Sequence, residues 1–331
     1  MLRAPILIVS PNWLGDAVMA MPAVKQFRIN NPGAVIVMLA KPSVAPLWRM
    51  HDSVDEILEL AGGNTATFAM ARLLSATKIG QAFILPNSFR SALIPFLALI
   101  PKRRGTAFHA RGLMVNDRVS FKAEKASGKL HQSFEYMKIL CGEAQGDISV
   151  TGFHPPKPAL LQELKVSPTD IPVCIIPGAA RGESKRWPFF AEAAKLMLAE
   201  NLAVRFIVTG AKGEADLCQA VAHAIGDRAI SVAGRTGLSE FAALLGNCRL
   251  VICNDSGGMH LASAAGVPVV AVYGLTDPVT TGPIGANATI IQAEGVKASR
   301  DVPRQSAAAV AALASISAQR VASACLEKLR E

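Results

Sequence analysis

Between Thr151 and Pro172 the chain carries five prolines (TGFHPPKPALLQELKVSPTDIP). Proline fixes φ and removes a backbone donor, so neither a long helix nor a sheet strand runs through such a stretch. On both sides the same pattern appears. Before it, Ile6–Val9 is a β-branched run suited to a buried strand, followed by the loop SPNWLG. A helix is expected from Asp16 to Asn30, with Val18, Met21, Val24 and Phe27 at helical spacing, and further strands at Ala34–Leu39 and Gln81–Leu85. After it the pattern restarts with a strand at Val173–Ile176, the loop PGAARGESKRWP, and a helix Phe189–Glu200 with Pro188 at its start. Strands at Val204–Val208, Leu250–Cys253 and Pro268–Val272 then alternate with helices at Glu214–Ile225, Leu238–Leu245 and Met259–Ala265. A last helix, Ser317–Glu331, sets Val321, Cys325, Leu326 and Leu329 on one face. Strands alternating with helices predict parallel, doubly wound sheets. The expected organisation is an α/β domain over 1–155, a linker over 156–172 and a second α/β domain over 173–331, with a cleft between them. In open sheets of this kind ligands bind beyond the carboxyl ends of the strands. The loops that follow strands therefore matter most.

Composition narrows the function classes. A hydrophobic fraction of 51% with 18% charged residues excludes a disordered chain, and 331 residues suit two domains. Aromatics at 5% are too scarce for the stacking platforms of single-stranded nucleic-acid binders. The most apolar run, Ser91–Pro101, is about half of what a membrane-spanning helix needs. The start, MLRAPILIVSPNWLGD, lacks a small-residue cleavage site and reads as a first strand. A cytoplasmic location is expected, with peripheral attachment at the inner membrane as a further option. Six cysteines without a CxxC pair fit buried thiols in a reducing compartment. Charge is uneven. Residues 1–165 hold 19 Lys and Arg against 11 Asp and Glu, whereas residues 166–331 hold 15 against 14. A basic first half suits an anionic partner.

Three loops carry chemistry. In VICNDSGGMHLA a buried strand runs into a carboxylate, a hydroxyl, two glycines and a histidine before a helix. Glycine lets a backbone approach closely, and a helix N-terminus offers free N–H groups to a diphosphate. Ser256, Gly257, Gly258 and His260 are the candidate contacts. Asp255 is badly placed beside phosphate and better suited to accept bonds from sugar hydroxyls, its plain alternative being a helix cap. His260 can equally be a packed core histidine. In PGAARGESKRWP, Gly178 and Ala179 precede Lys185, which can neutralise a departing diphosphate without a metal, or can be one exposed cation of a solvated loop. After the first strand, Asp16 can serve as a general base or merely compensate a helix N-terminus. No Walker lysine pattern, no GxGxxG after the first strand, no GxSxG elbow and no metal-ligand spacing is present.

Taken together, GDAVMAMPAVKQF, PGAARGESKRWP, NDSGGMHLASAAGVPVVAVYG and HQSFEYMKIL resemble glycosyltransferase family 9, with the PGA…KRWP block pointing to its type II heptosyltransferase branch. The resemblance spans nearly the whole chain. It implies a GT-B fold, two Rossmann-like domains facing across a cleft, with acceptor in the first and ADP-heptose in the second. It implies inverting transfer to the heptosyl-Kdo2-lipid A core of lipopolysaccharide, without cofactor or metal. Carried over, Asp16 is the base, Lys185 the diphosphate lysine, Asp255 the sugar-binding aspartate and 256–260 the diphosphate loop. Glu214 falls near the ribose-binding carboxylate. Lys102, Arg103, Arg104 and Arg111 are expected to dock the anionic acceptor, each also open to reading as a solvated face. Two departures stand out. The family more often has Leu at Gly258, which predicts a more flexible loop here. Residues 297–314 replace a cysteine-rich stretch of some members. Within the family the alternative is another lipopolysaccharide heptosyltransferase or a member using a different acceptor or sugar; a nucleotide-sugar epimerase and a non-catalytic nucleotide-binding module are the alternatives from other classes. The basic first half disfavours the former, and the presence of both Asp16 and Lys185 disfavours the latter.

Overall fold

The computed structural model describes residues 4–331 except 109, 159, 161, 162, 165, 168, 201, 202, 286 and 297–302. The chain divides after His154 into two units, Met1–His154 and Pro155–Glu331. Each contains one six-stranded sheet.

In unit 1 the elements are β1 (Ile6–Val9), α1 (Leu14–Asn30), β2 (Ile36–Ala40), α2 (Ala45–Arg49), β3 (Glu56–Glu59) and α3 (Asn64–Ser75). They continue as β4 (Gln81–Ile84), α4 (Phe89–Leu97), β5 (Lys102–Gly105), β6 (Asp117–Arg118), α5 (Lys122–Ala126) and α6 (Gln132–Cys141). The strand order is β3-β2-β1-β4-β5-β6, and every pairing is parallel. Strands buried on both faces read as unbroken apolar runs, as in IVMLA of β2. The apolar run Ser91–Pro101 supplies most of α4 and buries Ala92 and Ile94 against the sheet, with Pro95 inside the helix. β5 is the surprise. Its sequence, KRRG, holds three of the cations expected to lie open to an acceptor, yet it is a strand paired with both neighbours.

In unit 2 the elements are β7 (Ile171–Ile176), α7 (Phe190–Ala199), β8 (Val204–Val208), α8 (Ala215–Ile225), β9 (Ala229–Ser231), α9 (Leu238–Gly246) and β10 (Leu250–Asn254). There follow α10 (Gly257–Ala264), β11 (Val269–Tyr273), α11 (Pro278–Thr281), β12 (Ala288–Gln292), α12 (Ala307–Ala314) and α13 (Ala318–Arg330). The order is β12-β11-β10-β7-β8-β9, again parallel throughout. α7 begins two residues after Pro188, with Phe189 at its cap. α13 buries Val321, Ala322, Cys325 and Leu326 in the core of the unit. Five cysteines are buried and Cys141 is half-buried; all six are free thiols.

Winding reverses at β1, which pairs with β2 on one side and β4 on the other, and at β7, which lies between β8 and β10. Such a reversal opens a crevice at the carboxyl ends of the central strands. It falls beside Asp16 in unit 1 and between the loops after β7 and β10 in unit 2.

Candidate active site

In unit 2 the loops after β7 and β10 form one structure. β10 ends in Asn254, whose side chain is fully buried. Its Oδ1 accepts from the Trp187 N–H at 2.9 Å, and its Nδ2 donates to the Pro177 carbonyl at 2.8 Å. One amide thus stitches both ends of the PGAARGESKRWP loop to the start of NDSGGMH. A buried amide costs little only when both its donor and its acceptor are used, as here. The 3-10 turn Glu183–Lys185 is held from a further side. Ser184 Oγ donates to the Arg304 carbonyl at 2.8 Å and accepts from the Ser306 N–H at 2.9 Å. The Trp187 indole donates to the Ile316 carbonyl at 2.9 Å.

This scaffold directs Lys185 onto Asp255, and the two form an ion pair. Both are largely enclosed, with side-chain exposures of 16% and 9%. An ion pair this enclosed carries a desolvation cost that its mutual attraction has to offset, and an arriving anion can recruit its cation. Ser256, not Asp255, caps α10, so Asp255 is not the helix cap that its position also allowed. The Ser256 hydroxyl is buried and has no hydrogen-bond partner among the described residues. Gly257 and Gly258 open α10, and His260 is buried one turn further on.

Gly258 corrects the expectation of a flexible loop. It lies within the helix, and a Cβ there would stand 2.7 Å from Ile176 Cδ1. The position is closed by packing against β7, so the glycine admits a tight contact. Gly178 is a second closed position. A Cβ there would lie 2.2 Å from the Glu214 carboxyl, because Glu214 reaches back across the end of the sheet while its Oε2 accepts from the Ala211 N–H at 2.9 Å. Gly178, Ala179, Lys185, Glu214, Asp255 and Ser256 thus all lie at the carboxyl edge of one sheet.

In unit 1, Asp16 sits in the first turn of α1 and is half-buried. Gln132 of α6 donates to its Oδ1 at 3.0 Å and to the Tyr136 hydroxyl at 2.6 Å. The basic residues behave differently from expectation. Arg111 is fully buried, and its guanidinium donates to the carbonyls of Pro86, Ser88 and Thr106. Burial lowers its pKa to about 10. Arg103 donates to the Met114 carbonyl at 2.7 Å and lies over the Phe96 ring. Arg104 donates to the Ile139 carbonyl at 2.8 Å and pairs with Asp117 at 2.9 Å. Lys102, the most exposed, lies 3.5 Å from the same aspartate. The three arginines hold unit 1 together and do not form an open docking face, and of the four cations Lys102 alone is left exposed. Among the described residues no group of three or more His, Cys, Asp and Glu side chains is placed to hold a metal ion.

The sequence model of glycosyltransferase family 9 (heptosyltransferase) matches residues 67–311. The chain belongs to glycosyltransferase family 9. Its relatives in the family include lipooligosaccharide heptosyltransferase 2 of Haemophilus influenzae, 30% identical with 87% of this chain and 88% of the relative covered. Lipopolysaccharide heptosyltransferase 2 of Escherichia coli is also 30% identical, over 87% of each chain. The solved structure of Escherichia coli ADP-heptose lipopolysaccharide heptosyltransferase II superposes with a TM-score of 0.79 at 25% identity, covering 98% of both chains. The fold is that of the GT-B family 9 enzymes, two doubly wound units in one chain. The family motifs fall on the carboxyl edges just described. Reading the sequence alone missed three supports of this candidate site: Asn254, Gln132 and Ser184. Each acts on a residue far away in the chain. The one available signal was that Asn254 and Ser184 stand directly beside the assigned Asp255 and Lys185.

Proposed function

We propose that this enzyme transfers L-glycero-D-manno-heptose from ADP-heptose to the heptosyl-Kdo2-lipid A core of lipopolysaccharide. The observation that carries the reading is the Lys185–Asp255 pair, set beside the start of α10 and the Glu214 carboxyl in a family 9 chain. The donor diphosphate lies on the N-terminus of α10, where the Ser256 hydroxyl has no partner among the described residues and can donate to it. Glu214 accepts from the ribose hydroxyls. Asp255 accepts from the heptose hydroxyls as Lys185 turns to the diphosphate.

The acceptor hydroxyl attacks the anomeric carbon from the face opposite the diphosphate. The C–O bond to ADP breaks, Lys185 neutralises the leaving group, and Asp16 takes the hydroxyl proton. One displacement inverts the anomeric centre. Gln132 donates to Asp16 and so holds the carboxylate in place. With Lys185 supplying the positive charge, no divalent ion is required. The reading places the reaction at the cytoplasmic face of the inner membrane, where a lipid-linked acceptor is reached.

The test is incubation with labelled ADP-heptose, with and without heptose-deficient core lipid, followed by intact-mass analysis of the glycolipid. A gain of one heptose that requires both substrates and survives a chelator is the expected result. Sugar turnover that ignores the core lipid overturns the acceptor assignment, and loss of activity with chelator overturns the metal-free step.

A further inference from the structure

When Lys185 turns to a diphosphate, Asp255 loses the cation it pairs with. A carboxylate this enclosed cannot be left bare, since an uncompensated charge away from water is costly. Another donor has to reach it, and β11 supplies one. The backbone ladder between β10 and β11 runs past Asn254 and Val272, with the Asp255 N–H donating to the Val272 carbonyl at 3.2 Å. The next residue of β11 is Tyr273, so Asp255 and Tyr273 are neighbours across the two strands.

β11 reads VVAVY, four aliphatic residues and a phenol, all buried. Tyr273 is fully enclosed. Packing alone would be met by phenylalanine, whereas a phenol hydroxyl taken out of water needs a partner. The Tyr273 hydroxyl has two, both modest. It lies 3.2 Å from the Thr281 carbonyl at the end of α11 and 3.3 Å from Met259 Sδ in α10. The first is long for an O–H···O bond, and thioether sulfur is a weak acceptor. The Asp255 carboxylate faces the same hydroxyl, and burial followed by that charge holds its pKa well above the usual tyrosine value. The hydroxyl therefore keeps its proton and acts as a donor. Thr281 is half-buried, so its carbonyl can turn to water when the hydroxyl leaves it.

We propose that Tyr273 is a positioning residue for the donor: its hydroxyl swings from the Thr281 carbonyl to Asp255 as Lys185 leaves that carboxylate for the diphosphate. Asp255 then stays ionised and aimed throughout the exchange. No proton is transferred; one hydrogen bond replaces another. The proposal rests on the reading above in which Lys185 meets the diphosphate.

Tyr273→Phe keeps the ring and removes the hydroxyl. Calorimetric titration with ADP should show affinity lower by at least about tenfold, the contribution of one hydrogen bond to a charged group. ADP-heptose, whose hydroxyls also donate to Asp255, should lose less. In an Asp255→Asn background there is no charge to compensate, so adding Tyr273→Phe should leave ADP affinity within about twofold. A purely structural tyrosine would lower affinity equally in both backgrounds, and such additive losses overturn the proposal. Lys185→Ala separates the two levels of the reading. If it binds ADP as the wild type does, the diphosphate reading fails and this proposal with it. If it loses affinity while Tyr273→Phe does not, this proposal alone fails. A spectroscopic arm leaves the hydroxyl in place. The chain has two tyrosines, Tyr136 and Tyr273, so fluorotyrosine labelling gives two fluorine resonances, told apart with Tyr136→Phe. ADP should shift the Tyr273 resonance in the wild type and not in Asp255→Asn. A Tyr273 signal that ignores ADP, or one that shifts equally in Asp255→Asn, overturns the exchange.

Discussion

At the scale of single residues, chemistry is assigned to Asp16 and Lys185, and the side chains that aim them come from elsewhere in the sequence. Asp16→Asn keeps the shape and the bond from Gln132 possible through its remaining oxygen, but removes the base. Turnover should fall by about two to four orders of magnitude while ADP affinity is nearly unchanged, as read by steady-state rates beside calorimetric titration. A fall of only a few-fold would make Asp16 a helix-end charge. Asn254→Ala leaves the Trp187 N–H and the Pro177 carbonyl buried without their partner. A stability loss of about 2–4 kcal/mol is expected in denaturant titration, with weaker ADP binding as the Lys185 loop loosens. Asp255, Lys185 and Asp16 were legible because each follows a strand-like run in a short, chemically dense motif. Asn254 and Gln132 were not, since their work is done on partners 67 and 116 positions away.

At the scale of elements, the same contrast has a plain cause. β2, β7, β10 and β11 are buried central strands, so burial itself writes them as apolar runs in the sequence. β3, β5 and β6 lie toward the edges of their sheet and are spelled EILE, KRRG and DR; backbone pairing makes them strands, and no side-chain pattern announces it. In the sequence the arginines of β5 resemble docking cations, because a row of charge looks the same whether it faces water or buried carbonyls. Arg103→Gln with Arg104→Gln should therefore lower the melting temperature, at a cost of about 2–4 kcal/mol that added salt does not reproduce. An unchanged melting temperature would return both residues to the surface role. A second element-level device closes unit 1. The turn at His51 bridges Phe153, and the Asp52 N–H donates to the Gly152 carbonyl at 2.9 Å. His51 is buried, its Nδ1 accepts from the Ser53 N–H, and burial holds its pKa at about 4. The folded value lies below the ordinary one, so the unfolded chain takes the proton first. Stability should be full above about pH 6.5 and decline by about 3 kcal/mol as the pH falls to about 4, in urea melts followed across that window. His51→Gln should flatten the decline.

At the scale of the whole molecule, each unit has its own sheet and its own buried core. The donor contacts assigned above belong entirely to unit 2. Saturating ADP should therefore slow amide exchange in β7, β10 and α10 and leave the strands of unit 1 near their unliganded rates. Protection spread evenly over both units would show that the nucleotide is held by more than unit 2. The Lys185 loop carries a further consequence. Its anchors are Arg304, Ser306 and Ile316, more than a hundred positions downstream of Ser184 and Trp187. On the ribosome, strands β7 to β10 emerge long before those anchors do. A nascent chain can pair its sheet and still have no aimed lysine until Ile316 clears the exit tunnel. The aim of Lys185 is thus set late, by residues 304–316, and not by the sheet that carries it.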